Sequence, residues 1–98
     1  MSDNVARITP YYMEYSLDCG EHGEMERFIR FFETANSMFR YAAEMYAFDD
    51  CNPIEIHCIV MDGVDCDYVG WMPGMRFQFR NCETKEIVFD ECFPEYDH

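Results

Sequence analysis

A large surplus of acidic side chains on an apolar-rich chain is the feature that most constrains this fold. The 98 residues contain 20 Asp and Glu against 7 Lys and Arg, a formal net charge of −13, yet 49% are hydrophobic and 17% aromatic. Disordered acidic segments are poor in apolar residues, so this composition predicts a packed core with its carboxylates outside. Because like charges destabilise a compact state, we expect the acidic surface to serve solubility or to bind a basic partner.

The length predicts one domain with one core, residues 1–98, that ends in a short acidic C-terminal tail. The sequence has no run of about 18 apolar residues, the length that spans a membrane. Its first ten residues lack the basic and apolar regions of a secretory signal. We therefore expect a cytoplasmic protein. Its charge should repel anionic lipid headgroups and nucleic-acid phosphates, which argues against binding to a membrane or directly to nucleic acid.

Alternation of apolar and polar residues predicts four strands. The first covers Tyr11 to Asp18. The second covers residues 54–61, with Ile54, Ile56, Cys58 and Val60 facing the core and Glu55, His57 and Ile59 facing outward. Residues 75–80 and 86–90 are the third and fourth strands, and the short turn between them indicates a hairpin.

Between the first two strands, residues 24–48 repeat apolar side chains at three- and four-residue steps, which predicts one long helix. A second apolar stripe on this helix consists of Phe31, Met38, Tyr41, Met45 and Phe48. Either a small sheet curls around the helix and buries both stripes, or the second stripe is a homodimer surface. The order β-α-β-β-β predicts an α+β fold, a mainly antiparallel four-stranded sheet packed on one long helix.

The sequence carries no motif for catalysis, a cofactor or a metal. The acidic segment 62–67 does not have the ligand spacing of an EF-hand. The six cysteines include no CxxC pair, and none forms a recognised nucleophile signature with His22 or His57. We therefore expect free thiols, no enzymatic activity and no bound cofactor, and we interpret the chain as a binding protein.

Charge and aromatic content select the candidate partner-binding residues, because carboxylates recognise Lys and Arg and because Tyr is common in interfaces. Three acidic clusters follow the predicted helix, one directly after it, one at residues 62–67 and one from Glu83 to the C-terminus. The candidates are Asp49, Asp50, Asp62, Asp65, Asp67, Tyr68, Glu83, Asp90, Glu91, Glu95, Tyr96 and Asp97. Arg76 and Arg80 are expected on the outward face of the sheet, where Glu55, Glu86 and Asp90 could lie on neighbouring strands and pair with them.

In size, charge and layout, the whole chain resembles the small acidic inhibitor proteins of phages and mobile elements, a class that includes anti-CRISPR proteins and other DNA mimics. The resemblance implies an inhibitor in the host-cell cytoplasm that blocks a basic nucleic-acid-binding protein, such as a CRISPR effector, by replacing phosphates with carboxylates. The alternative is a homodimeric structural or assembly protein that uses the second apolar stripe and carries its charge for solubility.

Overall fold

The computed structural model describes residues 8–18, 25–47, 54–72 and 76–93. These residues form one antiparallel sheet with the strand order β2-β1-β3-β4-β5-β6, and one helix. The elements are β1 Tyr11–Asp18, β2 Met25–Phe32, α1 Ala35–Ala47, β3 Ile54–Met61, β4 Val64–Met72, β5 Arg76–Asn81 and β6 Ile87–Cys92. The prediction of four strands on one long helix is therefore wrong. In the described part of the chain, no helix has the length and apolar character needed to cross a membrane.

Two strands and one hairpin are confirmed. β1 and β3 have the predicted bounds, and they pair with each other antiparallel. β5 and β6 also pair antiparallel, around the turn expected between them. In β5, for example, Phe77 and Phe79 are fully buried whereas Arg76 is exposed, and such alternation fixes the register of a strand.

The first error in the predicted fold is the N-terminal part of the helix, because Met25–Phe32 is a strand. This segment pairs along its whole length with β1. The helix begins only after Thr34, whose Oγ1 accepts a hydrogen bond of 3.1 Å from the Ser37 amide. Thr34 is therefore the N-cap, since an N-cap side chain satisfies one of the free amides of the first turn.

The second error is the acidic loop at 62–67, most of which belongs to β4. Only Asp62 and Gly63 form the turn between β3 and β4, and both have positive φ, 54° and 80°. Two positive φ values are typical of the type I′ turn that joins two antiparallel strands, for which Asp-Gly is a preferred sequence. The residues from Val64 onward therefore continue directly as a strand.

The helix packs on one face of the sheet, which we call the helix face; the opposite side is the open face. Aromatic rings join the two layers, and Phe39 of α1 stacks on Phe79 of β5 at a centroid distance of 5.2 Å. Tyr46 of α1 stacks on Tyr68 of β4 at 4.1 Å. The buried core comprises Met13, Tyr15, Phe32, Met38, Phe39, Ala42, Ala43, Met45, Ile59, Cys66, Phe77, Phe79, Phe89 and Phe93.

A bulge in β3 changes which of its side chains face the helix. The ladder between β1 and β3 skips His57, which instead contacts Ser16, with Nε2 and Oγ 2.7 Å apart. An extra residue reverses the alternation beyond it. Ile59, expected outward, is consequently 2% exposed in the core, whereas Cys58 lies beside Glu14, with Sγ and Oε2 3.6 Å apart. The predicted orientation is therefore wrong for Ile59 and Cys58. Val60 is 6% exposed, in agreement with its predicted burial, although it pairs with Tyr12 outside the main core cluster.

The predicted second stripe of the helix does not exist as one surface. Phe31 lies on β2, and Met38 and Met45 are buried between the helix and the sheet. Tyr41 is half-buried against the same core, and Phe48 lies outside the described residues. Burial by the sheet was the first of the two interpretations, and it holds for both methionines. We therefore discard this stripe as a dimer surface.

Candidate acidic interface

The β3–β4 and β5–β6 turns lie at the same end of the sheet, which we call the turn end. β4 and β5 are antiparallel neighbours, so the start of β4 lies beside the end of β5, where Cys66 pairs with Asn81. A backbone hydrogen bond of 2.9 Å from the Cys82 amide to the Asp65 carbonyl links the two turns. The Asp62 amide donates to the Pro10 carbonyl, also at 2.9 Å. Backbone hydrogen bonds therefore connect the β5–β6 turn to β4 and the β3–β4 turn to Pro10.

The β5–β6 turn is shaped by Asn81. Its side-chain oxygen accepts hydrogen bonds from the amides of Glu83 and Thr84, at 2.8 and 2.9 Å. An Asn side chain that bonds the backbone two or three residues ahead stabilises a turn. Lys85 closes the turn with a positive φ of 67°. Glu83 and Glu86 are thus carried on an ordered backbone, although their side chains are exposed.

Four exposed acids occupy this end, and we call Asp62, Asp65, Glu83 and Glu86 the turn-end acids. None of the four forms an ion pair with a Lys or Arg among the described residues. Lys85, between the two glutamates, is the basic residue of the β5–β6 turn. The turn end is therefore a locally anionic surface whose four carboxylates are not neutralised by a Lys or Arg among the described residues.

Asp67 lies on β4 beside this group, but an arginine neutralises it. Arg80 donates two hydrogen bonds to its carboxylate, at 2.8 and 3.2 Å. These bonds hold the pKa of Asp67 below its usual value of 3.8 and raise the pKa of Arg80. Two parallel bonds between a guanidinium and a carboxylate are a strong, directional arrangement. Asp67 is therefore a structural partner of Arg80, and its charge is less available to a binding partner.

The structure separates the two other described acids of the candidate set from the turn end. Asp90 lies at the opposite end of the sheet, where Arg76 donates two hydrogen bonds to it, at 2.6 and 2.7 Å. The cross-strand pairing expected of Arg76 is thus present, whereas Arg80 pairs with Asp67. Glu91 faces the helix, where Arg40 contacts it at 3.2 Å. Neither acid adds a free charge to the interface.

Tyr68, a candidate interface residue, is instead partly buried against the core. It stacks on Tyr46 and also contacts Phe77 and Phe79. Its hydroxyl is buried and has no hydrogen-bond partner among the described residues, and burial raises its pKa to about 12. The candidates Asp49, Asp50, Glu95, Tyr96 and Asp97 lie outside the described residues.

Sequence reasoning missed Glu86, which sits on the same turn as Glu83. It was assigned to the first position of a strand, where it was expected to lie across the sheet from Arg76 or Arg80. The signal that could have found it is the Asn81 side chain, because an Asn that starts a turn marks the next few residues as a loop. Glu86 comes five positions after it.

The described thiols are free, and those near the turn end, Cys66 and Cys82, are weakly nucleophilic. Cys58, Cys66, Cys82 and Cys92 form no disulfide. Burial, followed by the negative charge of Asp67, raises the pKa of Cys82, and burial raises that of Cys66 to about 11. A thiol with a raised pKa is mostly protonated and is a poor nucleophile or metal ligand. Within the described ranges, no three His, Cys, Asp or Glu side chains gather as metal ligands do.

Comparison with known proteins returns no relative. No protein-family model, curated protein or solved structure matches the chain. The function is therefore argued from the surface alone.

Proposed function

We propose that this protein is an acidic binding protein that inhibits a basic nucleic-acid-binding protein through its turn-end acids. The observation that carries the proposal is the position of these acids, which are exposed, unpaired with Lys or Arg in the described part of the chain, and held on ordered turns. Carboxylates fixed in this way can accept charge-assisted hydrogen bonds from the Lys and Arg side chains that otherwise bind phosphates. A CRISPR effector is one partner of this class.

The proposed binding surface contains fewer acids than the net charge of the sequence implies. Three acids of the candidate set, Asp67, Asp90 and Glu91, are bound to arginines of the same chain. An ion pair that is already formed must be broken before its acid can bind a partner. We therefore assign the binding to Asp62, Asp65, Glu83 and Glu86.

The net charge of −13 should accelerate association with any basic protein, whereas the turn end should decide which complex is stable. These two contributions can be separated by experiment. Replacing acids anywhere on the surface reduces the long-range attraction. Replacing turn-end acids should in addition remove direct contacts and accelerate dissociation.

The test compares two variants of equal net charge. Asp65→Lys with Glu83→Lys changes the turn end, and Glu44→Lys with Glu55→Lys makes the same change on exposed residues elsewhere. Asp62 is left intact because a lysine with positive φ would strain the turn. Immobilised protein is used to capture partners from a host lysate at low and high salt, and captured proteins are identified by mass spectrometry.

The expected partner binds nucleic acid, is released by high salt, and is displaced by an oligonucleotide. Capture by the turn-end variant should fall by about tenfold or more, a typical consequence of losing close charge pairs at an interface. The control variant should retain most of the binding. Equal loss in both variants, or capture insensitive to salt and oligonucleotide, would contradict the proposal.

A further inference from the structure

β2 is an edge strand with exposed apolar side chains. The sheet order places it outermost, so one row of its backbone amides and carbonyls has no strand partner among the described residues. Ile29 is 58% exposed and Met25 44% exposed, both on the open face. Such an edge is a template for another strand.

Two of the usual protections of an edge strand, a proline and a bulge, are absent from β2, and its charged side chains, Glu26, Arg27 and Arg30, include both signs. Residues 25–32 contain no proline, and their ladder with β1 runs without a bulge from end to end. The other edge strand, β6, is protected, because its pairing with β5 shifts register after Phe79 and because it carries adjacent acids, Asp90 and Glu91. Bulges and charged residues discourage strand addition. β2 is therefore the edge that is suited to pairing.

The charges on β2 are complementary to those of a second copy. Antiparallel pairing of two identical strands about a twofold axis keeps the helix faces on the same side, so each residue lies opposite one of equal parity. When Phe28 lies opposite itself, Glu26 lies opposite the partner's Arg30, and this occurs twice. Directly opposite residues on one face are close enough for such pairs to stabilise the ladder. Both side chains are exposed, and the Arg30 guanidinium lies 4.5 Å from the centre of the Tyr41 ring.

The neighbouring registers are less favourable. Centring the pair on Arg27 or on Arg30 places two identical guanidinium groups opposite each other. Centring it on Ile29 brings Arg30 opposite Phe28 and leaves Glu26 without a basic neighbour. In the Phe28 register, Met25 lies opposite the partner's Phe31, and Ile29 lies opposite the aliphatic stem of Arg27, so the apolar side chains of the open face are also covered.

We propose that this protein forms a symmetric dimer by antiparallel pairing of β2 with β2 of a second copy, centred on Phe28. The dimer has one continuous sheet with both helices on the same side. Because the twofold axis reverses the strand direction, the two turn ends lie at opposite ends of the joined sheet and both remain exposed. The dimer is therefore independent of the proposed function, and either can fail without the other.

Charge exchange provides the test. Glu26→Arg places arginines opposite arginines, and Arg30→Glu places glutamates opposite glutamates, so each variant alone should dimerise more weakly than the wild type. Mixed together, the two variants form opposite-charge pairs at both positions and should yield a heterodimer. Glu44→Arg, an exposed site on the helix, is the matched control for charge. Circular dichroism verifies the fold of each variant, and native mass spectrometry with light scattering measures the assembly.

The expected result is a wild-type and control dimer, a dissociation constant raised about tenfold or more in Glu26→Arg, and a heterodimer in the mixture. If Arg30→Glu does not fold because its contact with the Tyr41 ring is lost, the comparison of Glu26→Arg with Glu44→Arg still tests the proposed dimer. A wild-type monomer at about 1 mM, the weak end of specific association, would overturn the proposal. So would a dimer that ignores these substitutions, or an open series of oligomers, which indicates head-to-tail pairing.

Discussion

Removing the Phe79 ring should destabilise the protein more than removing any partly exposed ring, because this side chain connects the helix to the sheet. Phe79 is fully buried, and four aromatic rings surround it, from α1, β4 and β6. Its centroid distances are 5.2 Å to Phe39, 5.5 Å to Tyr68, 5.8 Å to Phe89 and 6.2 Å to Tyr46. Phe79→Ala therefore creates a cavity at the junction of the two layers.

The magnitude follows from burial and cavity formation. Phe-to-Ala substitutions in cores cost about 3–5 kcal/mol, and the surrounding ring contacts place this one at the upper end. A domain of this size has a free energy of unfolding of about 5–15 kcal/mol, so this loss is a large fraction of the total stability. With a urea m-value of about 2 kcal/mol per molar, the unfolding midpoint should fall by about 2 M.

Phe31→Ala is the matched control, since the same ring is removed from the open face, where Tyr12 at 5.3 Å is its aromatic neighbour. Its cost should be about 1–2 kcal/mol. Urea unfolding followed by far-UV circular dichroism, at low protein concentration, measures both variants. If Phe79→Ala costs less than about 1 kcal/mol, or no more than Phe31→Ala, the helix is not anchored on β5 as described.

Two further predictions concern ionisable groups. Arg76 and Gln78 lower the pKa of Asp90 to about 2 from 3.8, so this carboxylate contributes stability that is complete above pH about 4 and is lost as the pH falls through 2. Asp90→Asn should reduce the wild-type loss of stability between pH 5 and pH 2, measured by urea unfolding, and an unchanged slope would contradict the ion pair. Burial raises the pKa of Cys66 to about 11. In the native protein at pH 8, iodoacetamide should therefore modify Cys66 at least about tenfold more slowly than the exposed Cys92. Equal modification rates, measured by mass spectrometry, would place Cys66 outside the core.

The strands that could be predicted from the sequence are those whose pattern fits only one period. β1 alternates strictly, and its bounds agree with the structure. β2 has the period of a helix, since Met25, Phe28, Ile29 and Phe32 are spaced as on one helix face, whereas in the strand Met25 and Ile29 lie on the open face and Phe28 and Phe32 on the helix face. Two signals favoured the strand, the density of Phe and Ile in residues 28–32 and the capping residue Thr34.

The position of β4 was available in the sequence but was hidden by charge. The Asp62–Gly63 dipeptide between Met61 and Val64 is a strong hairpin signal. The acids that follow alternate with Val64 and Cys66, which is the pattern of a half-buried strand. Reading all of 62–67 as one loop gave weight to the number of acids, whereas their spacing carried the structural information.

The candidate site could be predicted only in part, because register determines which acids remain free. Asp65 and Asp67 lie two residues apart in the sequence, and the sequence does not distinguish which of them forms an ion pair with an arginine. The structure pairs Asp67 with Arg80 across β4 and β5, and it leaves Asp65 beside the turn. That pairing depends on contacts between residues distant in sequence and on a bulge between Tyr68 and Gly70.

The same reasoning explains why a net charge alone identifies no binding surface. Each described arginine of the sheet and helix already has a partner: Arg27, Arg40, Arg76 and Arg80 contact acids, and Arg30 lies over Tyr41. The acids that these arginines contact are thereby removed from the set available to a partner. Of the acids that these arginines do not contact, Asp62, Asp65, Glu83 and Glu86 lie together where two turns meet, whereas Glu26, Glu44 and Glu55 lie apart from one another on β2, α1 and β3. The positions of the arginines therefore determine which acids remain available to form an anionic binding surface.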